Sequence, residues 1–220
     1  MTVKRVILIR PGETDWNKLG RWQGWVAVPL NEHGKAQALA LAKYIRNIGL
    51  SALYSSDLKR AVETAELLAE RLEFAPMLDA RWRERDIGKW QGMTLSEIRA
   101  WYPDEYQQLQ ADIEGYRVPG GESRADVKKR VLDAFNDVLT ESKGGTVGIL
   151  SHTTATHMLL EAIIPGYDVY AVVLGNTSVT TIARSDADNW ELVTANDLSH
   201  LEGLPSGSVG ELEQKDDPGN

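Results

Sequence analysis

Leu8-Ile9-Arg10-Pro11-Gly12-Glu13-Thr14 is the stretch whose reading decides the fold. It completes Val6-Ile7-Leu8-Ile9, an unbroken apolar run of the kind found in strands buried on both faces of a parallel sheet. The run stops at a cation, Arg10, and turns through Pro11-Gly12. Proline brings a fixed φ suited to leaving a strand, removes one N–H and biases the residue before it toward the β region. Ligands of open α/β sheets lie beyond the carboxyl ends of the strands, so Arg10 is a candidate binding residue.

The same rhythm continues outward. Asn31-Glu32-His33-Gly34 leads into a helix through Ala38, Leu41, Ala42 and Ile45, with Gly49 at its expected C-cap. Leu53-Tyr54-Ser55 reads as a strand, and Ser56 or Asp57 is the expected cap of a helix through Ala61, Ala65 and Leu68. Met77-Leu78 reads as an edge strand, while residues 10–30 and 81–92 read as loops. Helical stretches at residues 94–101 and 106–109 form an insert, about residues 93–118, expected to cover a pocket. Pro119-Gly120-Gly121 breaks the chain before an amphipathic helix with Val127, Val131, Phe135 and Val138 on one face. A strand at 146–150 places His152 just beyond its tip, and a helix at 154–163 follows. Strands at 178–183 and 190–193 close the pattern. The expectation is a three-layer α/β/α sandwich on a mainly parallel sheet. It forms one domain over residues 1–202, followed by an acidic, Gly/Ser-rich solvated tail at 203–220.

Composition bounds the function. A chain of 220 residues can bury one sizeable α/β core. A net charge of -8 argues against nucleic acid and anionic membranes as partners, although a local arginine cluster can still rule one pocket. The absence of cysteine excludes disulfides and thiolate chemistry. The four histidines are scattered, and His152 and His157 are five apart rather than the four of a helical metal pair, so neither a metal nor a cofactor is expected. With no leader-like apolar segment and no membrane-length run, the sequence reads as cytoplasmic.

Arg10, Arg60 and His152 together would neutralise a phosphate, the last as an imidazolium, and give it directed donors. Asn17 would add a neutral donor, and Glu84 would protonate a departing alkoxide. Gln23, Trp25, Arg83, Tyr116 and Arg124 are candidate substrate or lid residues, with Trp22, Trp101, Tyr102 and Tyr106 as further aromatics. The aromatics could equally anchor loops to the core, and the arginines could equally form surface ion pairs. His33 reads as a helix-start surface residue, His157 as a packed or half-exposed helix residue, and His200 as surface. By residue type and spacing alone, the reading ends at an α/β domain with an anion site.

Six separated motifs resemble the phosphoglycerate mutase-like branch of the histidine phosphatase superfamily. They are residues 8–14, Gln23-Gly24 with 29–38, residues 54–65, Arg83-Glu84 with 88–92, Gly120-Gly121-Glu122-Ser123 with Ser151-His152, and Gly175-Asn176-Thr177-Ser178. The resemblance covers roughly residues 3–183. Within the family, Lys89-Trp90-Gln91-Gly92 and residues 121–127 look closest to glucosyl-3-phosphoglycerate phosphatases. The resemblance implies that Arg10, Arg60 and His152 hold phosphate and that Glu84 is the acid. The ligand would be a small phosphorylated metabolite or inorganic phosphate, and a homodimer is an assembly the fold would allow.

The sequence departs from the family where the chemistry would start. Pro11 stands where the family carries its nucleophilic histidine, so the phosphohistidine step is lost. Ala27 replaces an aspartate, and Thr153-Thr154 replace two glycines. The expected function is that of a phosphomonoesterase by descent, with activity lost or strongly reduced. The alternatives are a non-catalytic binding or interaction protein, or a mutase-type transferase. The acidic insert, with Asp104, Glu105, Asp112 and Glu114, weighs against the transferase.

Overall fold

A computed structural model describes residues 3–185 and 189–204. All of the expected tail except residues 203 and 204 lies outside the described residues. The sheet has six strands: β1 (Val3–Ile9), β2 (Leu50–Ser55), β3 (Met77–Leu78), β4 (Gly145–Leu150), β5 (Val179–Arg184) and β6 (Trp190–Asp197). Their order is β3-β2-β4-β1-β5-β6. The first four run parallel to one another, while β5 is antiparallel to both β1 and β6.

The apolar run of β1 serves both faces. Ile7 and Ile9 pack with Leu41, Ile45, Ala61, Ala65 and Leu68 from α2 (Glu32–Ile45) and α3 (Lys59–Ala69). Val6 and Leu8 pack with Val127, Val131, Phe135, Met158 and Leu159 from α6 (Arg124–Glu141) and α7 (Thr153–Ile163). Two helical layers therefore enclose the sheet. A third core, including Ile87, Trp90, Ile98, Tyr106 and Leu109, binds the insert helices α4 (Leu95–Trp101) and α5 (Pro103–Ala111) to the loop before them.

Three local expectations are corrected. The 10–30 segment contains a short helix, α1 (Asp15–Lys18), closed by a Thr14/Asn17 capping box. The N-cap of α3 is Leu58, not Ser56 or Asp57; Ser56 instead accepts the Leu58 N–H, and Asp57 is engaged by Arg83. Arg46 occupies the C-cap of α2, and Gly49 (φ +74°) forms the turn into β2.

Register is what positions the site. Ile9 and Leu150 pair across β1 and β4, and Ser55 and Leu150 pair across β2 and β4. Three strands thus end level, and Arg10, Ser56 and Ser151-His152 emerge side by side. The loop after β1 lies hard against the start of α2: a Cβ on Gly12 would come 2.5 Å from the Gly34 carbonyl oxygen, and one on Gly34 would come 2.1 Å from that of Glu13. Neither position has room for a larger residue.

Candidate functional site

The level strand tips open into a cavity of about 170 Å³. Arg10, Pro11, Asn17, Gln23, Arg60, Glu84, Arg124 and His152 all line it. Trp25, Arg83 and Tyr116 do not. The Trp25 indole donates to the Glu84 carbonyl (2.7 Å), and the Arg83 guanidinium lies over the Trp25 ring while making a two-pronged ion pair with Asp57 (2.6 Å each). Tyr116 stacks on Trp90 inside the insert core. These three are engaged by partners supplied from segments distant in sequence and stand behind the cavity lining.

The β1 tip is held through its backbone. Gly12 N–H donates to Thr64 Oγ1 (3.1 Å), Glu13 N–H to Gln37 Oε1 (3.0 Å) and Thr14 N–H to Asn17 Oδ1 (3.0 Å). The Pro11 carbonyl accepts from Thr177 N–H (3.1 Å) and Asn176 Nδ2 (3.2 Å). Arg10 donates to the Leu174 carbonyl. Arg60, buried near the start of α3, donates to the Gly24 (3.0 Å) and Val26 (3.3 Å) carbonyls. A guanidinium fork held this way is oriented before any ligand arrives.

Glu84 spans two backbone donors, Arg85 N–H (2.7 Å) and Thr154 N–H (3.1 Å). The second belongs to the first turn of α7, whose positive end favours a carboxylate. Arg130 fixes the segment carrying Glu84: it donates to the Arg81, Arg83 and Glu84 carbonyls and to both oxygens of Glu122.

His152 is 3 % exposed. Burial, reinforced by Arg60, Arg130 and Arg10, pushes it well below the usual histidine range. These surroundings disfavour the imidazolium form. His157 also lines the cavity, bonds Tyr167 Oη through Nδ1 (2.9 Å) and is lowered to about 4, chiefly by burial. His200 is not a surface residue: it packs against Tyr44 and meets Thr177 Oγ1 at 3.0 Å. Thr177 has a left-handed backbone (φ +59°), unusual for a β-branched residue.

Sequence reading missed Ser56, Arg130 and His200 as parts of this construction. Ser56 lay inside a quoted motif, and its place one residue beyond a strand tip was the available signal. Arg130 and His200 carried no local signal.

The insert reaches the cavity through Leu109 and Ile113. Among the described residues, no three His, Asp or Glu side chains gather as a metal site, and no helix is long and apolar enough to cross a membrane.

Fold and site define an α/β protein with a cationic strand-tip cavity. Residues 6–198 match the histidine phosphatase superfamily (branch 1), and the chain belongs to that family. It is 32 % identical over 200 residues to phosphoglycerate mutase-like protein 4 of Arabidopsis thaliana, covering 90 % of this chain and 86 % of that protein. It is 32 % identical over 204 residues to the probable phosphoglycerate mutase GpmB of Cronobacter sakazakii, covering 90 % and 95 %. Among solved structures, a mycobacterial glucosyl-3-phosphoglycerate phosphatase in complex with VO3 superposes with a TM-score of 0.79 at 30 % identity, covering 88 % and 99 %.

Proposed function

We propose that this chain binds a small phosphomonoester, such as a sugar phosphate or a phosphoglycerate derivative, in the strand-tip cavity. Hydrolysis is lost or strongly reduced. The carrying observation is the placement of Pro11 in the cavity lining with Arg10, Arg60 and His152. A pyrrolidine ring offers no lone pair to phosphorus, so the covalent route through position 11 is closed, while the groups that would hold the anion remain. Arg10 and Arg60 supply charge, His152 and Asn17 supply neutral donors, and Glu84 faces the leaving-group side as the acid of any residual, direct-water hydrolysis.

The neighbours support this substrate class. Structures similar to this chain include the mycobacterial phosphatase with inorganic phosphate and an Entamoeba histolytica phosphoserine phosphatase with 3-phosphoglyceric acid. A histidine-to-alanine mutant of the latter enzyme is in complex with phosphoserine, so loss of a histidine there is compatible with ligand binding. The compartment we assign is the cytoplasm, where such metabolites are made and consumed, and the assembly we assign is a homodimer, which light scattering would check.

Calorimetry with inorganic phosphate and a sugar phosphate tests binding. Millimolar or tighter affinity that weakens in Arg10→Ala supports the reading, and no heat at millimolar ligand overturns it. A phosphomonoester panel assayed with the parent and Pro11→His tests the catalytic half, with turnover expected only in the variant.

A further inference from the structure

His152 is the N-cap residue of α7, and its Nε2 lies 2.9 Å from Ser56 Oγ. The direction of that bond follows from the other contact of Ser56. Its Oγ accepts the Leu58 N–H at 3.2 Å, and the residue is fully buried. Among the described residues, Nε2 is the only acceptor that the Ser56 O–H reaches. A buried hydroxyl proton without an acceptor is costly, so Ser56 donates and the neutral ring carries its proton on Nδ1. Nδ1 has no protein partner among the described residues, and the ring lines the cavity. That N–H is the group His152 presents to a ligand.

The surroundings enforce the neutral form. Arg10 beyond β1, Arg60 on α3 and Arg130 on α6 all oppose a positive charge on the ring. Glu84, whose carboxylate is engaged by the Arg85 and Thr154 amides, is the anion on the cavity wall, and His157 faces the same cavity from α7. Ser56 itself is fixed: its N–H donates to the Leu150 carbonyl (2.9 Å), tying it to the strand that delivers His152.

We propose that Ser56 is a positioning residue that holds His152 as the Nδ1–H tautomer, so that His152 donates a hydrogen bond to a phosphoryl oxygen and keeps no free lone pair for attack on phosphorus or for base catalysis. The donor role rests on the phosphate-ester reading of the cavity. The tautomer itself rests only on the Ser56 contacts. The consequence is specific: His152 does not take over the work of the missing nucleophile, because its one basic nitrogen is occupied by a buried hydroxyl.

The test uses the full chain with ¹⁵N-labelled histidine. Two-bond ¹⁵N–¹H correlation spectra read the tautomer, and loss of the signal in His152→Gln assigns it. The expected parent spectrum shows protonated Nδ1 and bare Nε2 across pH 6 to 8, with the Nδ1 signal moving when inorganic phosphate is added. In Ser56→Ala the ring should lose its single tautomer, and sulfate affinity should fall about 3- to 10-fold, the size of one neutral hydrogen bond. Sulfate keeps its charge over this range, so a new pH dependence of its binding in the variant, absent from the parent, reports the released nitrogen.

A parent spectrum with the proton on Nε2 overturns the proposal without any variant, so misfolding of Ser56→Ala cannot protect it. An unchanged tautomer and pH profile in a folded Ser56→Ala also overturn it. Phosphate that binds by calorimetry while Nδ1 stays unmoved overturns the donor role and spares the cavity reading. Phosphate that does not bind at all overturns the cavity reading, and the donor role with it, while the spectrum still decides the tautomer.

Discussion

The tips of β1 and β4 stand side by side and are built on opposite plans. At the β1 tip much of the turn is held through the backbone of residue 11 and its successors: the Pro11 carbonyl takes two donors, and the next three amides find Thr64, Gln37 and Asn17, with Arg10, Glu13 and Thr14 adding side-chain bonds on either side. Nothing passes through the side chain at position 11. At the β4 tip backbone bonds, from Ser151 N–H to the Ile9 carbonyl and from Thr156 N–H to the His152 carbonyl, are joined by a side-chain contact at the site residue itself, the His152 ring seated on Ser56. A tip made of backbone can exchange its side chain and keep its shape. Exchanging His152 would remove the contact with Ser56. This is how the chain can carry proline at position 11 and still present an ordered strand-tip cavity lined by Arg10, Arg60 and His152.

The sharpest way to break that contrast is Pro11→His. If the β1 tip is indifferent to its side chain, the variant folds normally and gains a phosphohistidine at position 11. Hydrolysis should rise by about 100-fold or more over the parent. Rapid acid-quench labelling with a radioactive phosphomonoester checks this. Acid-labile label on His152 in the parent would show that the β4 tip does the chemistry instead.

Arg60→Ala should come next, weakening phosphate binding about 10- to 100-fold, the value of a charge-assisted contact of roughly 1.5–3 kcal/mol. Arg60→Lys should recover only part of this, because the two carbonyl anchors need a planar fork. Calorimetry separates the two.

A third expectation concerns pH. The pKa of His157 falls from 6.5 to about 4 on folding, mainly through burial, with Arg124 and Arg10 adding repulsion. The unfolded chain therefore binds more protons in that window, and stability present at pH 7 is lost as pH falls through it. The loss is about 2 kcal/mol between roughly pH 7 and pH 5. His152 and His200 are also lowered, so they act in the same direction. Urea unfolding across this range should show the slope, and His157→Gln should flatten it relative to the parent.

The smallest effect is that of Glu84→Gln in the parent, where the loss of a carboxylate from the start of α7 should cost under about 1 kcal/mol. In Pro11→His, by contrast, the same change should lower turnover, because an amide cannot protonate the leaving oxygen.

What the sequence made legible was whatever is written in short-range pattern. The apolar run of β1, the amphipathic face of α6 and the Pro119-Gly120-Gly121 break each state their structure locally. The residues flanking strand tips, Arg10 and His152, were legible for the same reason. What stayed hidden was pairing over distance. Arg83 could have met a ligand or an ion-pair partner, and which one is decided by Asp57, 26 residues earlier, which takes both of its prongs. Trp25 could have lined an entrance or anchored a loop, and its indole holds the Glu84 carbonyl, 59 residues on. The downward push on the pKa of His152 was hidden too, because its burial near Arg60, Arg130 and Arg10 is a property of the assembled fold.

The close fit of Gly12 against Gly34 has a consequence for heredity. The contact ties the turn to α2 by two residues that have no side chain to mutate gently. Histidine and proline codons differ by one nucleotide, a single A-to-C change at the second base. Along that edge of the genetic code, a lineage can exchange histidine and proline at position 11, and can reverse the exchange, in a single step.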